Sequence, residues 1–285
     1  MAATTTCYTV APLTTLSVYS TVPLTSVSAK SSPALIFLHF WGGSARTFSK
    51  LDPLLSSTYS VFAIDFRGWG YSTGPHSPAA YSISNLADDV QSLVTVLPQI
   101  ADTGFVLVGH SMGGKVAQLL ASRRLPGLKG VFLIAPAPAG PLILPSEEMK
   151  EQQIKAYNTL EAAEFTVRNV LSAGGLEEED VKMLVEDTQR GNERARKAWP
   201  TYGMGEDYSD NLRDIDVPVR IAVGALDIVE PAERVRPEVL EKINIGSDSK
   251  DAKASMVVVE GSGHMLPLEK PERLAEEIRV FCNGL

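Results

Sequence analysis

Short apolar runs alternating with helical patterns constrain this chain more than any other feature. The runs fall at 34–40, 59–66, 104–109, 129–135, 218–223 and 254–260. An unbroken apolar run of this length suits a strand buried on both faces, which is the signature of a parallel sheet. Between the runs, 45–57, 83–98, 112–124, 231–243 and 271–282 read as helices. In 83–98 the residues Ile83, Leu86, Ala87, Val90, Leu93, Val94 and Leu97 share one face, and Ser82 or Ser84 can cap the start. Strand and helix in alternation predict an α/β fold with right-handed crossovers. Ahead of the first run, residues 1–30 are rich in Thr, Ser and Val, with Pro12 and Pro23 as punctuation. They predict two short strands, near 6–11 and 15–22.

Residues 141–210 break the alternation. They hold no credible strand, and 146–158, 160–172, 177–189 and 192–199 read as helices. Ser146 and Thr159 stand where N-caps belong. The expected organisation is a core of 1–140 and 211–285 with a helical cap, 141–210, inserted into it. The 285 residues carry 26 Lys and Arg against 34 Asp and Glu, a net charge of −8. The insertion alone holds 15 acidic and 8 basic side chains, a net of −7, which leaves −1 for the core. An acidic balance argues against nucleic acid and against an anionic membrane as partner. The densest acidic run, 177–180, reads as a solvated outer face; a sharper expectation is that the cap disfavours anionic substrates at the entrance. No run approaches the ~20 apolar residues of a membrane span. The N-terminus lacks the basic start and apolar core of a signal peptide, so a cytoplasmic protein is expected. Cys7 and Cys282 are the only cysteines, too few for a disulfide framework or a zinc site, and are expected to be reduced thiols.

The residues that carry chemistry begin with Gly109-His-Ser-Met-Gly-Gly114. This segment follows a strand and opens a helix, so its G-x-S-x-G pattern is a sharp strand-to-helix turn that lifts Ser111 above the sheet edge. A serine hydroxyl needs a base to become a nucleophile. Of four histidines, His110 adjoins the serine and points elsewhere on the tight turn. His39 ends a strand and His76 lies in a Gly-Pro-rich loop. His264 lies in a turn after the last strand, at the edge of the sheet where ligands bind, and is the expected base. Asp227, one strand earlier, is the expected orienting carboxylate. Glu230 is its neighbour and rival, and Asp214 and Asp216 lie at the wrong end of their strand.

With these residues placed, the chain resembles the capped serine-hydrolase branch of the α/β-hydrolase fold. The matching stretches are His39-Phe-Trp-Gly-Gly43, Asp65-Phe-Arg-Gly-Trp-Gly-Tyr-Ser72, Gly109–Gly114, Gly224-Ala-Leu-Asp227 and Gly263-His264. The resemblance implies a mostly parallel eight-stranded sheet flanked by helices, with an α-helical cap. It implies an oxyanion hole made by the backbone N–H groups of Trp41 and Met112. Phe40 stands where the family usually has Gly, and its own amide is the alternative donor. Asp65 and Arg67 are expected to tie loops together. Phe40, Trp69 and Trp199, with Trp41, are expected around the substrate pocket, the alternative being ordinary packing. Ser111 speaks against the branches that use an aspartate nucleophile. The implied chemistry is hydrolysis of a small-molecule ester or lactone through an acyl-enzyme, with no metal and no organic cofactor. The same residues resemble those of C–C bond hydrolases, perhydrolase-like proteins and acyltransferases, and of a few small-ligand receptors with little turnover. A pure scaffold is disfavoured because Ser, His and Asp are all present.

Overall fold

Val, Ile, Leu and Phe dominate the apolar runs, and each run becomes a strand of one eight-stranded sheet. The protein is seen in a computed structural model that describes residues 2–23, 32–245 and 253–285. The strands are β1 (Ala2–Ala11), β2 (Thr14–Val22), β3 (Ala34–Leu38), β4 (Val61–Ile64), β5 (Phe105–His110), β6 (Leu128–Ile134), β7 (Val219–Gly224) and β8 (Ala254–Val259), in the spatial order β1-β2-β4-β3-β5-β6-β7-β8. β2 runs antiparallel to β1 and β4, and every later pairing is parallel. All residues of β3, β4 and β5 are buried, as strands covered on both faces must be. The order reverses around β3, which lies between β4 and β5. The loops leaving β3 and β5 therefore border a crevice at the carboxyl ends of the strands, where open α/β sheets bind ligands.

Helices α1 (Asp52–Leu55), α2 (Ile83–Val94), α3 (Ile100–Thr103) and α4 (Met112–Ser122) precede the insertion. Val90 and Leu93 of α2 and Val116 and Leu120 of α4 pack on one face of the sheet. Phe48, Leu55, Leu274 and Ile278 pack on the other. Within 141–210 lie α5 (Glu147–Lys155), α6 (Leu160–Thr166), α7 (Glu178–Arg190) and α8 (Glu193–Thr201), and no strand among the described residues. After it come α9 (Ala232–Val235), α10 (Glu241–Ile243), α11 (Leu266–Glu269) and α12 (Pro271–Asn283). Ser82 caps α2, Ser146 caps α5 and Thr159 caps α6 through their hydroxyls.

Several helix readings need correction. The stretch 45–57 is not one helix: it is a 3-10 turn, Ala45–Phe48, followed by α1. Pro53 has no N–H to continue a helix and instead starts a new one. α2 stops at Val94, short of Pro98. The stretches after α6 and after α9 loosen into π turns, Val167–Leu171 and Arg236–Leu240. The acidic run is also not wholly a solvated face. Asp180 is buried, accepts the Glu177 N–H at 3.2 Å and takes the Lys50 ammonium at 2.7 Å. Asp187, also buried, takes the Ser44 hydroxyl at 2.7 Å and the Arg46 guanidinium. Part of the charge of residues 141–210 thus pairs with Ser44, Arg46 and Lys50.

Segments at either end of 141–210 meet on one buried ammonium. Lys115 of α4 donates to the carbonyls of Gly140 at 2.8 Å, Glu206 at 2.6 Å and Met204 at 3.4 Å. Burial brings its pKa down to about 8 against the pull of nearby Glu206 and Asp207. Cys7 and Cys282 are free thiols. Among the described residues no helix is long and apolar enough to cross a membrane.

Candidate active site

The turn between β5 and α4 is tight because glycine allows it. A Cβ on Gly109 would collide with the Gly113 backbone, and one on Gly113 with the Leu38 carbonyl. Ser111 between them sits at φ +53°, ψ −114°, a conformation that costs a residue with a Cβ about 1–3 kcal/mol. Its backbone is held at every polar atom. The N–H donates to Ile134 at 3.0 Å, and the carbonyl accepts from Gly114, Lys115 and Ala137 at 2.8, 3.1 and 3.1 Å. The hydroxyl thus stands at the N-terminus of α4, at the carboxyl edge of the sheet.

Asp227 and His264 leave the same edge, after β7 and β8. Their loops are laced together: the Ala225 N–H donates to Val259 and the Leu226 N–H to Ser262, each at 2.9 Å. His264 Nδ1 meets Asp227 Oδ2 at 2.8 Å with both side chains buried. Asp227 Oδ1 accepts the Val229 and Glu230 N–H groups at 2.8 and 3.0 Å. A carboxylate so placed only accepts, so Nδ1 carries the proton and Nε2 keeps its lone pair. Burial alone would lower the imidazole pKa, but the charge and hydrogen bond of Asp227 overcome it, and His264 lies above its ordinary value. Burial likewise pushes Asp227 up, and His264 with the two backbone donors brings it below the ordinary carboxylate range. Glu230, the rival in sequence, does not face His264 with a hydrogen bond. It is buried and salt-bridged to Arg234 at 2.6 Å, and burial raises its carboxyl to about 7 despite that partner.

His110 does turn away from Ser111, into the neighbouring loop. Its Nε2 meets the His264 carbonyl at 2.9 Å, and the two imidazoles lie 5.0 Å apart. The residue before Ser111 is thereby packed against the loop of His264. Burial, first, holds His110 well below its ordinary pKa.

The loop after β3 is shaped by His39. The Phe66 N–H donates to Nε2 at 3.1 Å, so Nδ1 is the protonated nitrogen and donates to the Phe40 carbonyl at 2.6 Å. Burial brings this imidazole down to about 4, so it is neutral. Among the described residues neither the Trp41 nor the Met112 amide has a hydrogen-bond acceptor. Asp65 ties loops as expected, accepting the Ala45 and Tyr71 N–H groups at 2.7 and 2.9 Å. Arg67 forks onto Asp89 with two 2.5 Å bonds.

The aromatic residues expected around the pocket are all buried in packing. Phe40 packs with Val167, Leu171, Val181, Leu184, Met265 and Leu268, at the joint between insertion and core. The Trp69 ring lies against Gly191 and 6.2 Å from His39. Trp199 of α8 is 5% exposed. A cavity of about 230 Å³ lies against Tyr19, Phe48, Asp52 and Tyr71, and none of Ser111, His264, Phe40, Trp69 or Trp199 lines it.

Three residues of the site were not readable as such. Glu269 takes the Ser172 hydroxyl and Ala173 N–H on Oε1 at 2.9 and 2.7 Å. Its Oε2 takes the Ser262 hydroxyl and Gly263 N–H at 3.2 and 2.8 Å. Lys115 had a signal, a lone charge inside the apolar stretch that opens α4. Tyr157 of the insertion, against Trp41, had none.

The chain matches the model of the alpha/beta hydrolase family over residues 35–277. It is 39% identical to an sn-1-specific diacylglycerol lipase of Mus musculus over 110 residues, 38% of this chain and 34% of that protein. The alignments with the first curated relatives span about a third of those proteins' length. With a pimeloyl-[acyl-carrier protein] methyl ester esterase of Aeromonas hydrophila it is 24% identical over 87% of this chain and 95% of that one. An esterase structure from Exiguobacterium antarcticum superposes with a TM-score of 0.79 at 20% identity, covering 95% of this chain and 96% of that one.

Proposed function

Because the chain belongs to the α/β-hydrolase family, we propose that it hydrolyses a small-molecule carboxylic ester or lactone through an acyl-enzyme on Ser111. His264 Nε2 takes the Ser111 proton as Oγ bonds to the substrate carbonyl carbon. The oxyanion formed is met by the Trp41 and Met112 N–H groups, at the positive end of α4. Collapse breaks the bond to the alcohol, which leaves with the proton held on Nε2. Water then repeats the cycle against the acyl-enzyme, with His264 again base and then acid. Asp227 holds the tautomer and the transient imidazolium. In this reading 141–210 is a cap over the site.

The observation that carries the reading is the buried 2.8 Å pair of His264 Nδ1 and Asp227 Oδ2, on the same sheet edge as the strained turn of Ser111. The lipase and esterase names of the relatives support an oxygen ester as the bond cleaved. The test is turnover of a panel of p-nitrophenyl esters and lactones. Turnover that Asp227→Asn lowers by about 10⁴ is expected from loss of the imidazole's orientation. Turnover equal in the two proteins would reject the assignment.

A further inference from the structure

We propose that Tyr157, carried by the helical insertion, is a positioning residue that aims the Trp41 amide, so that seating the insertion completes the oxyanion site. The inference rests on the reading of Ser111 as the acylated nucleophile and of Trp41 as a donor to the oxyanion.

Trp41 lies between two planar peptide groups, and each is anchored from a different side. In a trans peptide the carbonyl and the following N–H point in opposite directions. Fixing the Phe40 carbonyl therefore fixes the direction of the Trp41 N–H, and His39 Nδ1 does so from the core at 2.6 Å. The next peptide carries the Trp41 carbonyl. That oxygen accepts the Tyr157 hydroxyl at 3.1 Å, an anchor from the insertion. With both planes held, the backbone rotations of Trp41 are both constrained. Gly42, at φ +100°, otherwise leaves the second plane able to swing.

The Trp41 side chain repeats the pattern. Its ring packs against Tyr157 with centroids 4.2 Å apart and planes tilted by 37°, and Nε1 donates to the Arg196 carbonyl of α8 at 2.9 Å. The Tyr157 ring also fills the space a Cβ on Gly42 would need. Tyr157 is itself held, because its carbonyl accepts from Gln189 at 3.3 Å and Arg196 at 3.5 Å. Burial raises the phenol above its ordinary pKa, so the hydroxyl stays a donor through neutral and alkaline assay conditions.

Tyr157→Phe keeps the ring and removes only the hydroxyl. The expected result is a kcat for a short p-nitrophenyl ester about 10-fold lower, with KM little changed, since the lost alignment matters where charge develops. An alkylboronic acid, whose tetrahedral serine adduct presents an oxygen to the same donors, should lose affinity by the same factor. Tyr157→Leu, which also removes the ring contact, should move both readings further in the same direction. An unchanged kcat in folded Tyr157→Phe, beside a wild type that turns over ester and captures boronate, overturns the inference and leaves the reading of Ser111 standing. A lower melting temperature with boronate affinity unchanged assigns Tyr157 a merely structural part and also overturns it. A wild type that neither turns over ester nor captures boronate overturns the reading of Ser111, and this inference with it.

Discussion

A left-handed backbone at Ser111 persists because the glycines at 109 and 113 let two segments pass within contact of each other, and four backbone hydrogen bonds hold the turn. The sequence made this residue legible, since G-x-S-x-G between a strand and a helix marks a sharp, strained turn. Asp227 was legible by position, but the duty of its neighbour was not. Glu230 and Asp227 differ by three places in sequence, and only the side-chain directions decide which reaches His264. Glu230 instead lies buried beside Arg234, with its carboxyl pushed up to about 7. Its charge, once formed, favours the His264 imidazolium. In the proposed mechanism His264 must be neutral to accept the Ser111 proton, so its raised pKa should put the acid limb of kcat/KM above 6.5. Glu230→Gln should move that limb to lower pH, as read from a pH profile on one ester; a limb that stays put would contradict the coupling. For folding the sign runs the other way. The stabilisation from the raised His264 is full below 6.5 and lost as pH rises through its folded value, whereas that from the lowered Asp227 is present above 3.8 and lost as pH falls through its folded value.

At the scale of elements, the strands were readable because short apolar runs rich in Val, Ile and Phe, too short for a buried helix, suit a sheet covered on both faces. The stretch 45–57 has a helical pattern but is not one helix, because Pro53 interrupts the backbone ladder. Glu269 was unreadable for a different reason. Its four donors come from 172–173 and 262–263, segments about ninety residues apart that meet only in the fold. The His264 and Met265 N–H groups both donate to the Leu171 carbonyl, at 2.9 and 3.2 Å, so the end of the turn after α6 is sewn to the loop of His264. Glu269→Gln replaces two accepting oxygens by one and turns an amide toward backbone donors. It should lower unfolding free energy by roughly 1–3 kcal/mol, read as the midpoint in urea, with kcat falling alongside. A midpoint equal to wild type would show that the carboxylate does not clamp the two segments.

The whole molecule is a sheet whose helical segment 141–210 lies between β6 and β7, its two ends tied by the Lys115 ammonium and by backbone bonds, its flank by ion pairs. Lys115 joins Gly140 to Met204 and Glu206, while Lys50 and Arg46 receive Asp180 and Asp187. The helical character of residues 141–210 was visible in the sequence, because caps such as Ser146 and Thr159 precede helical patterns there. Its mode of attachment was not visible, since backbone carbonyls leave no trace in a sequence. Lys115→Met removes the one donor that, among the described residues, these three carbonyls share and should loosen 141–210 before the sheet. Limited proteolysis should cut within 141–210 several-fold faster than in wild type, at a melting temperature lowered by a few degrees; an unchanged digestion pattern would contradict the clasp. The central claim, that this fold presents Ser111 as an acylated nucleophile, is tested most directly by mass mapping after treatment with a fluorophosphonate. The account predicts one adduct per chain, on Ser111, with adduct and ester turnover both absent from a folded Ser111→Ala. An adduct on another residue, or turnover that survives in Ser111→Ala, would contradict it.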